Sequence, residues 1–123
     1  MKAYTDINQS KKLAEILPIE SADMVYYCNK SNNTPISQCP FVRSFKETDV
    51  FSYLYCWSLA ALLNYIKDKC GYFELVYLSS TSDGNKLENV HRLSTDLYDV
   101  YENELIDACY KMIIKLHEQK KLL

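Results

Sequence analysis

The sequence predicts an α+β fold: three helices packed on one face of a small, mainly antiparallel sheet, in the order α-β-(β)-α-β-β-(β)-α. Three stretches carry the prediction. Leu59, Leu62, Leu63 and Ile66 fall at i, i+3, i+4 and i+7, which puts four apolar side chains on one face of a central helix beside Trp57, the only Trp. Tyr72 to Ser79 is rich in β-favouring residues and bounded by Gly71 and the Asp83-Gly84 pair. Finally, Leu105, Cys109, Met112 and Leu116 repeat with helical spacing, with acids before them and lysines after them. That polarity matches a helix dipole.

Taken in order, the chain begins with a helix capped by Thr5 or Asp6 and running to Leu17. Ile7, Leu13, Ala14 and Leu17 mark its apolar side, and Pro18 stops it because the residue before Pro is pushed out of the helical region. Met24 to Cys28 reads as a strand. Asn29 to Gln38, with its Asn, Ser, Thr and Pro35, reads as a loop, or as a segment without fixed order. Phe41 to Phe45 is a short second strand, and Pro40 before it suits an edge position.

The central helix is expected over Trp57 to Lys69, after a break near Tyr55. The spacing of Val50, Leu54 and Trp57 also permits a start as early as Asp49, and the alternation of Val50, Ser52 and Leu54 permits an extended approach. Gly71 suits the left-handed position just past a helix end. In the following strand Phe73, Leu75 and Tyr77 point one way, and Tyr72, Glu74, Val76 and Leu78 the other. Apolar groups on both faces predict an inner strand, or one whose second face meets something. A hairpin at Asp83-Gly84 leads to a return strand over Lys86 to Leu93, and a further short strand falls at Leu97 to Tyr101. Asn103 caps the last helix, in which Ile106 and Ile113 widen the apolar row.

At 123 residues the chain has the length of one domain, and it is read as a single domain over 1–123. A domain of this size buries roughly two thirds of its unfolded surface and folds without a metal or disulfide. The apolar fraction is 48% and the charged fraction 24%, which suits a globular chain. A net charge of −2, with Arg43 and Arg92 the only Arg, argues against a phosphate-neutralising nucleic-acid binder. No run reaches the length of a membrane span, and Met1 to Asp6 leads into a polar helix rather than a signal sequence. The five Cys are odd in number and lack a Cys-x-x-Cys pair, so reduced thiols in a cytoplasmic protein are expected.

Few residues suggest chemistry. His91 and His117 lie on different elements without metal-ligand spacing, so no metal site is expected. Two Gly, Gly71 and Gly84, are too few for a phosphate-binding loop, and no cofactor is expected. Cys56 at a helix start could serve as a nucleophile only with a His base brought from elsewhere. Tyr is abundant, eleven against four Phe, which fits either a core margin or a partner-binding face.

Three segments together resemble a known group. They are Met1 to Ile7 with Gln9 to Pro18; Cys56-Trp57-Ser58-Leu59-Ala60-Ala61-Leu62-Leu63; and Asp107 to Ile113 with Leu116-His117-Glu118. The set is similar to a family of small proteins of Bacteroides-type gut bacteria and their phages or mobile elements. The family has Pro where this chain has Tyr55, and Asn-Pro where it has Glu104-Leu105. The resemblance implies a cytoplasmic origin and a role on a mobile element, and brings no activity, cofactor or catalytic residue.

Two function classes follow. One is a non-enzymatic binding or regulatory protein, acting on a protein partner or as a homodimer through a face carrying Tyr72, Val76 and Leu78. The alternative is a small enzyme or ligand-binding protein with a pocket near Cys56 and Trp57.

Overall fold

The computed structural model describes residues 2–36, 38–43, 50–80 and 87–122. Their elements run α1 (Ile7–Ile16), β1 (Met24–Asn29), β2 (Phe41–Val42), β3 (Phe51–Cys56), α2 (Leu59–Cys70), β4 (Glu74–Ser80), β5 (Leu87–Ser94), β6 (Asp99–Glu102) and α3 (Leu105–Leu122). The class and the order are those expected. The strands, however, form two antiparallel three-stranded sheets, β2-β1-β3 and β4-β5-β6, where the sequence predicts one. Among the described residues each strand pairs only with strands on its own side of α2 in the chain, so α2 divides them. The chain correspondingly divides into two compact units, Tyr4–Ala61 and Leu62–Leu123 with Met1–Ala3, and α2 starts in the first and continues in the second.

In the unit Tyr4–Ala61, Asp6 caps α1 in a reciprocal box. The Gln9 N–H donates to Asp6 Oδ1 at 2.7 Å, and the Asp6 N–H donates to Gln9 Oε1 at 3.1 Å. The helix ends at Ile16, with Leu17 extended and Pro18 following. Leu13 and Leu17 are buried while Ala14 is exposed. Helix α1 packs against β3. Buried Tyr26, Cys28 and Cys56 share one sheet face, because Tyr26 pairs with Leu54 and Met24 with Cys56.

Of the two readings of Asn29 to Gln38, the loop holds: residues 29–36 form a hydrogen-bonded turn. The Asn29 N–H donates to the Thr34 carbonyl at 2.8 Å, and Asn33 sits at φ 56°. Asn29 and Asn32 each accept a backbone N–H from two residues on, the local bonding that Asn offers a turn. Of the expected Phe41–Phe45 strand, Phe41–Val42 is strand, Arg43 N–H donates to the Asp23 carbonyl at 3.0 Å, and Ser44 and Phe45 lie outside the described residues. The ambiguous stretch before the central helix is extended: β3 pairs with β1 over its full length, and that ladder prevails over the helical spacing of Val50, Leu54 and Trp57.

In the second unit, Leu62 and Ile66 of α2 are buried and Leu63 is half-buried; Leu59, in the part of α2 that belongs to the first unit, is half-buried too. Gly71 adopts φ 74° and donates its N–H to the Lys67 carbonyl at 2.7 Å, closing the helix as expected. The β4–β5 pair is the expected hairpin, and its Asp83-Gly84 turn lies outside the described residues. Thr95 turns the chain into β6, its Oγ1 accepting from the N–H groups of Leu97 and Tyr98, each at 3.3 Å. Helix α3 packs on β5 and β6, where the paired Leu93 and Val100 are buried. Its buried residues are Ile106, Ala108, Cys109, Met112 and Ile113, with Leu105 and Leu116 at the margin. It starts one residue later than the Asn103 cap implies, since the Glu104 carbonyl accepts from Ala108 N–H. Lys2 anchors the N-terminal residues on its first turn, with Nζ 2.8 Å from Asp107 Oδ1 and its backbone N–H 3.1 Å from Glu104 Oε2.

Candidate functional site

The Cys56–Ser58 stretch is built into the first unit by a polar network centred on Thr5, which is buried. Thr5 Oγ1 lies 2.8 Å from Ser10 Oγ and 3.4 Å from Cys56 Sγ, and it accepts from Trp57 N–H at 3.2 Å. The Thr5 carbonyl accepts from Tyr26 Oη at 2.9 Å and from Cys56 Sγ at 3.3 Å. Trp57, fully buried, donates Nε1–H to Ser21 Oγ at 2.9 Å. Ser58 caps α2: its Oγ accepts from Ala61 N–H at 3.2 Å and is itself held by Asp23, which also accepts the Ser58 N–H at 2.9 Å. These polar atoms are occupied in holding the β3–α2 junction.

This geometry is the opposite of an activated thiol. Burial, foremost, pushes the Cys56 pKa up, against a smaller lowering by hydrogen bonds from Thr5 and Ser10. A catalytic thiol needs a base, yet the partners here are hydroxyls. His91 and His117 both belong to the other unit, where His91 lies against the Tyr77 ring at 4.9 Å between centroids. All five Cys are free. Among the described residues no group of His, Cys, Asp and Glu is placed to hold a metal ion.

The residues predicted as an interaction face lie on and before β4. The register puts Val76 opposite Arg92, and Arg92 opposite Tyr101. Glu74, two residues from Val76 and so on the same face, reaches Arg92 at 3.6 Å and accepts from Tyr72 Oη at 3.1 Å. That bond and the carboxylate charge raise the Tyr72 pKa. Of the two readings of this strand, an inner strand or one whose second face meets something, the structure removes the first: β4 is an edge strand of its sheet.

The edge position explains what the sequence missed. Helix α3 packs chiefly on β5 and β6, so on the face of β4 expected to be covered Leu75 and Tyr77 stay partly exposed. Tyr72 is 52% exposed and Leu78 41%, but Leu75 and Tyr77, pointing the other way, are 40% and 55% exposed. The alternation was readable; the number of strands beneath α3 was not.

A second aromatic group went unnoticed in the first sheet. Tyr27, in the middle strand, has the rings of Phe41, Phe51 and Tyr53 at 5.4, 5.5 and 5.5 Å, and the Arg43 guanidinium lies 4.6 Å from the Tyr55 ring centre. The period-two repeat of Phe51, Tyr53 and Tyr55 was the signal that could have found it.

No family model, no curated protein and no solved structure matches the chain. The resemblance of the three segments therefore stands on those residues alone. Among the described residues, no helix is long and apolar enough to cross a membrane.

Proposed function

We propose that the protein is a small cytoplasmic binding or regulatory module that acts through protein contacts and has no enzymatic role of its own. The observation that supports this reading is β4: an edge strand with large apolar side chains exposed on both faces, a form of surface that marks interaction sites. A protein partner, or a second copy of the chain, suits it better than a nucleic acid. The net charge is −2, and the one charged side chain of β4 between Glu74 and Ser80 is Glu74 itself. The setting that the resemblance of the three segments suggests is a gut bacterium's phage or mobile element. A pocket enzyme at Cys56 and Trp57 finds no support in side chains already occupied with the β3–α2 junction.

The test is capture from the native host by wild type, by a Tyr72→Ser/Leu78→Ser variant and by Lys12→Ala, a change on the exposed side of α1. Partners held by wild type and Lys12→Ala but lost by the β4 variant are expected. Equal capture by all three would refute binding through this surface.

A further inference from the structure

Resting on that reading, we infer that the partner of β4 is a second copy of the chain, and that two β4 strands pair antiparallel about a two-fold axis at Val76. The outer edge of β4 turns the N–H and C=O of every second residue outward, and such a row accepts another strand unless something protects it. The other edges are protected. Strand β2 has two residues. Strand β6 has four and carries Asp99 and Glu102 at its ends. Strand β3 is uncharged, but from Ser52 onward its side chains are buried or half-buried, and the chain just beyond it pairs with Tyr4 and Thr5. By contrast β4 runs seven residues with no Lys and no Pro.

The occupant follows from symmetry and charge. The regular part of β4 is Glu74–Leu78, paired residue for residue with β5; the ladder shifts only beyond Leu78. That regular part is centred on Val76. A two-fold axis there places Leu75 against Tyr77 of the second copy, Val76 against Val76, and Glu74 against Leu78. No like charges meet, and the two Leu75–Tyr77 contacts become cross-strand apolar pairs. A register centred on Glu74 would oppose two carboxylates. Isologous pairing demands a patch complementary to itself, and Leu75 with Tyr77 supplies one. The product is a continuous six-stranded sheet, β6-β5-β4 joined to the same three strands of the copy.

Sedimentation equilibrium of the purified protein at micromolar concentration tests this. Wild type is expected at twice the 14.4 kDa chain mass. Leu75→Lys/Tyr77→Lys sets lysine against lysine in this register and is expected at the monomer mass. Leu75→Lys/Tyr77→Glu sets opposite charges together and is expected to return to the dimer. Val76→Cys in a Cys39→Ser background is expected to form a disulfide between copies on oxidation, because paired residues on adjacent strands lie within disulfide reach. Either a strictly monomeric wild type, or a dimer that both charge variants leave intact, overturns the pairing. Should wild type be monomeric while host capture still depends on Tyr72 and Leu78, the self-pairing falls and the binding role stands. If capture is also indifferent to those residues, both fall.

Discussion

The buried Thr5 hydroxyl lies within reach of Ser10 Oγ, Cys56 Sγ and the Trp57 N–H, and Thr5→Val isolates it. The substitution keeps the branched shape and removes only the oxygen. In the buried site the Trp57 N–H then loses its acceptor at 3.2 Å, and Ser10 Oγ loses a partner at 2.8 Å. Leaving a buried donor unpaired costs about 1–3 kcal/mol. With a urea slope of roughly 1.5 kcal/mol/M for a chain of this size, the midpoint falls by ~0.7–2 M. Thr5→Ser keeps the oxygen and loses one methyl group, a cost of about 0.8 kcal/mol. Trp57 reports the transition directly, since it is the only Trp and is fully buried. Combining Thr5→Val with Ser10→Ala provides the internal control. Because the two hydroxyls share a bond, their costs are expected to fall short of additivity by about 0.5 kcal/mol or more. An unchanged midpoint for Thr5→Val, or strict additivity with Ser10→Ala, would show that the network does not hold the β3–α2 junction.

Two further outcomes are expected. Leu62 is fully buried in α2, so Leu62→Ala lowers stability by about 2–5 kcal/mol in a denaturant melt; a loss under about 0.5 kcal/mol would remove it from the core. Burial pushes the Cys109 thiol from 9.0 up to about 12, so the folded state stays protonated over a range in which the unfolded thiol ionises. Stability from this group is whole below the unfolded value and drains away as pH rises through the folded one, by about 1.4 kcal/mol per pH unit between the two. Urea midpoints at about pH 8 and about pH 10 read the slope, and Cys109→Ala is expected to flatten it; an identical slope in the variant would contradict the assignment.

Both ends of α1 and the end of α2 were legible because local chemistry fixes them. Asp6, one of the two caps the sequence offered, Pro18 after Leu17, and Gly71 at φ 74° act within a few residues of themselves. The buried side of α3 was legible to within a small rotation. The eye follows the larger Leu105 and Leu116, while the packed face centres on Cys109, Met112 and Ile113 and takes in the small Ala108. The approach to α2 was not legible, since Val50, Leu54 and Trp57 fit a helical spacing while Val50, Ser52 and Leu54 alternate, and only the pairing of Phe51–Cys56 with β1 decides between them. Nor was the split into two sheets, because strand partners are set by contacts across the chain, and apolar groups on both faces look the same in an inner strand and in an edge strand.

The two aromatic surfaces differ in how far the chain already satisfies them. On the first sheet Tyr27 is ringed by three aromatic side chains, and Tyr55 is capped by Arg43, so much of each ring is spent on intramolecular contact. On β4 the satisfied groups are few: Tyr72 bonds to Glu74, and Tyr77 lies against His91. Leu75 and Leu78 remain exposed beside an open strand edge. Backbone pairing and side-chain burial there would come from one event, since a strand laid along that edge meets the N–H and C=O row and both apolar faces together. That coupling favours an extended segment over a helix as the binding element, and β4 itself is such a segment. In the proposed pairing the polar Tyr–Glu–Arg face would keep the register from slipping, because a shift of one residue would turn Leu75 and Tyr77 of the second copy onto the charged side.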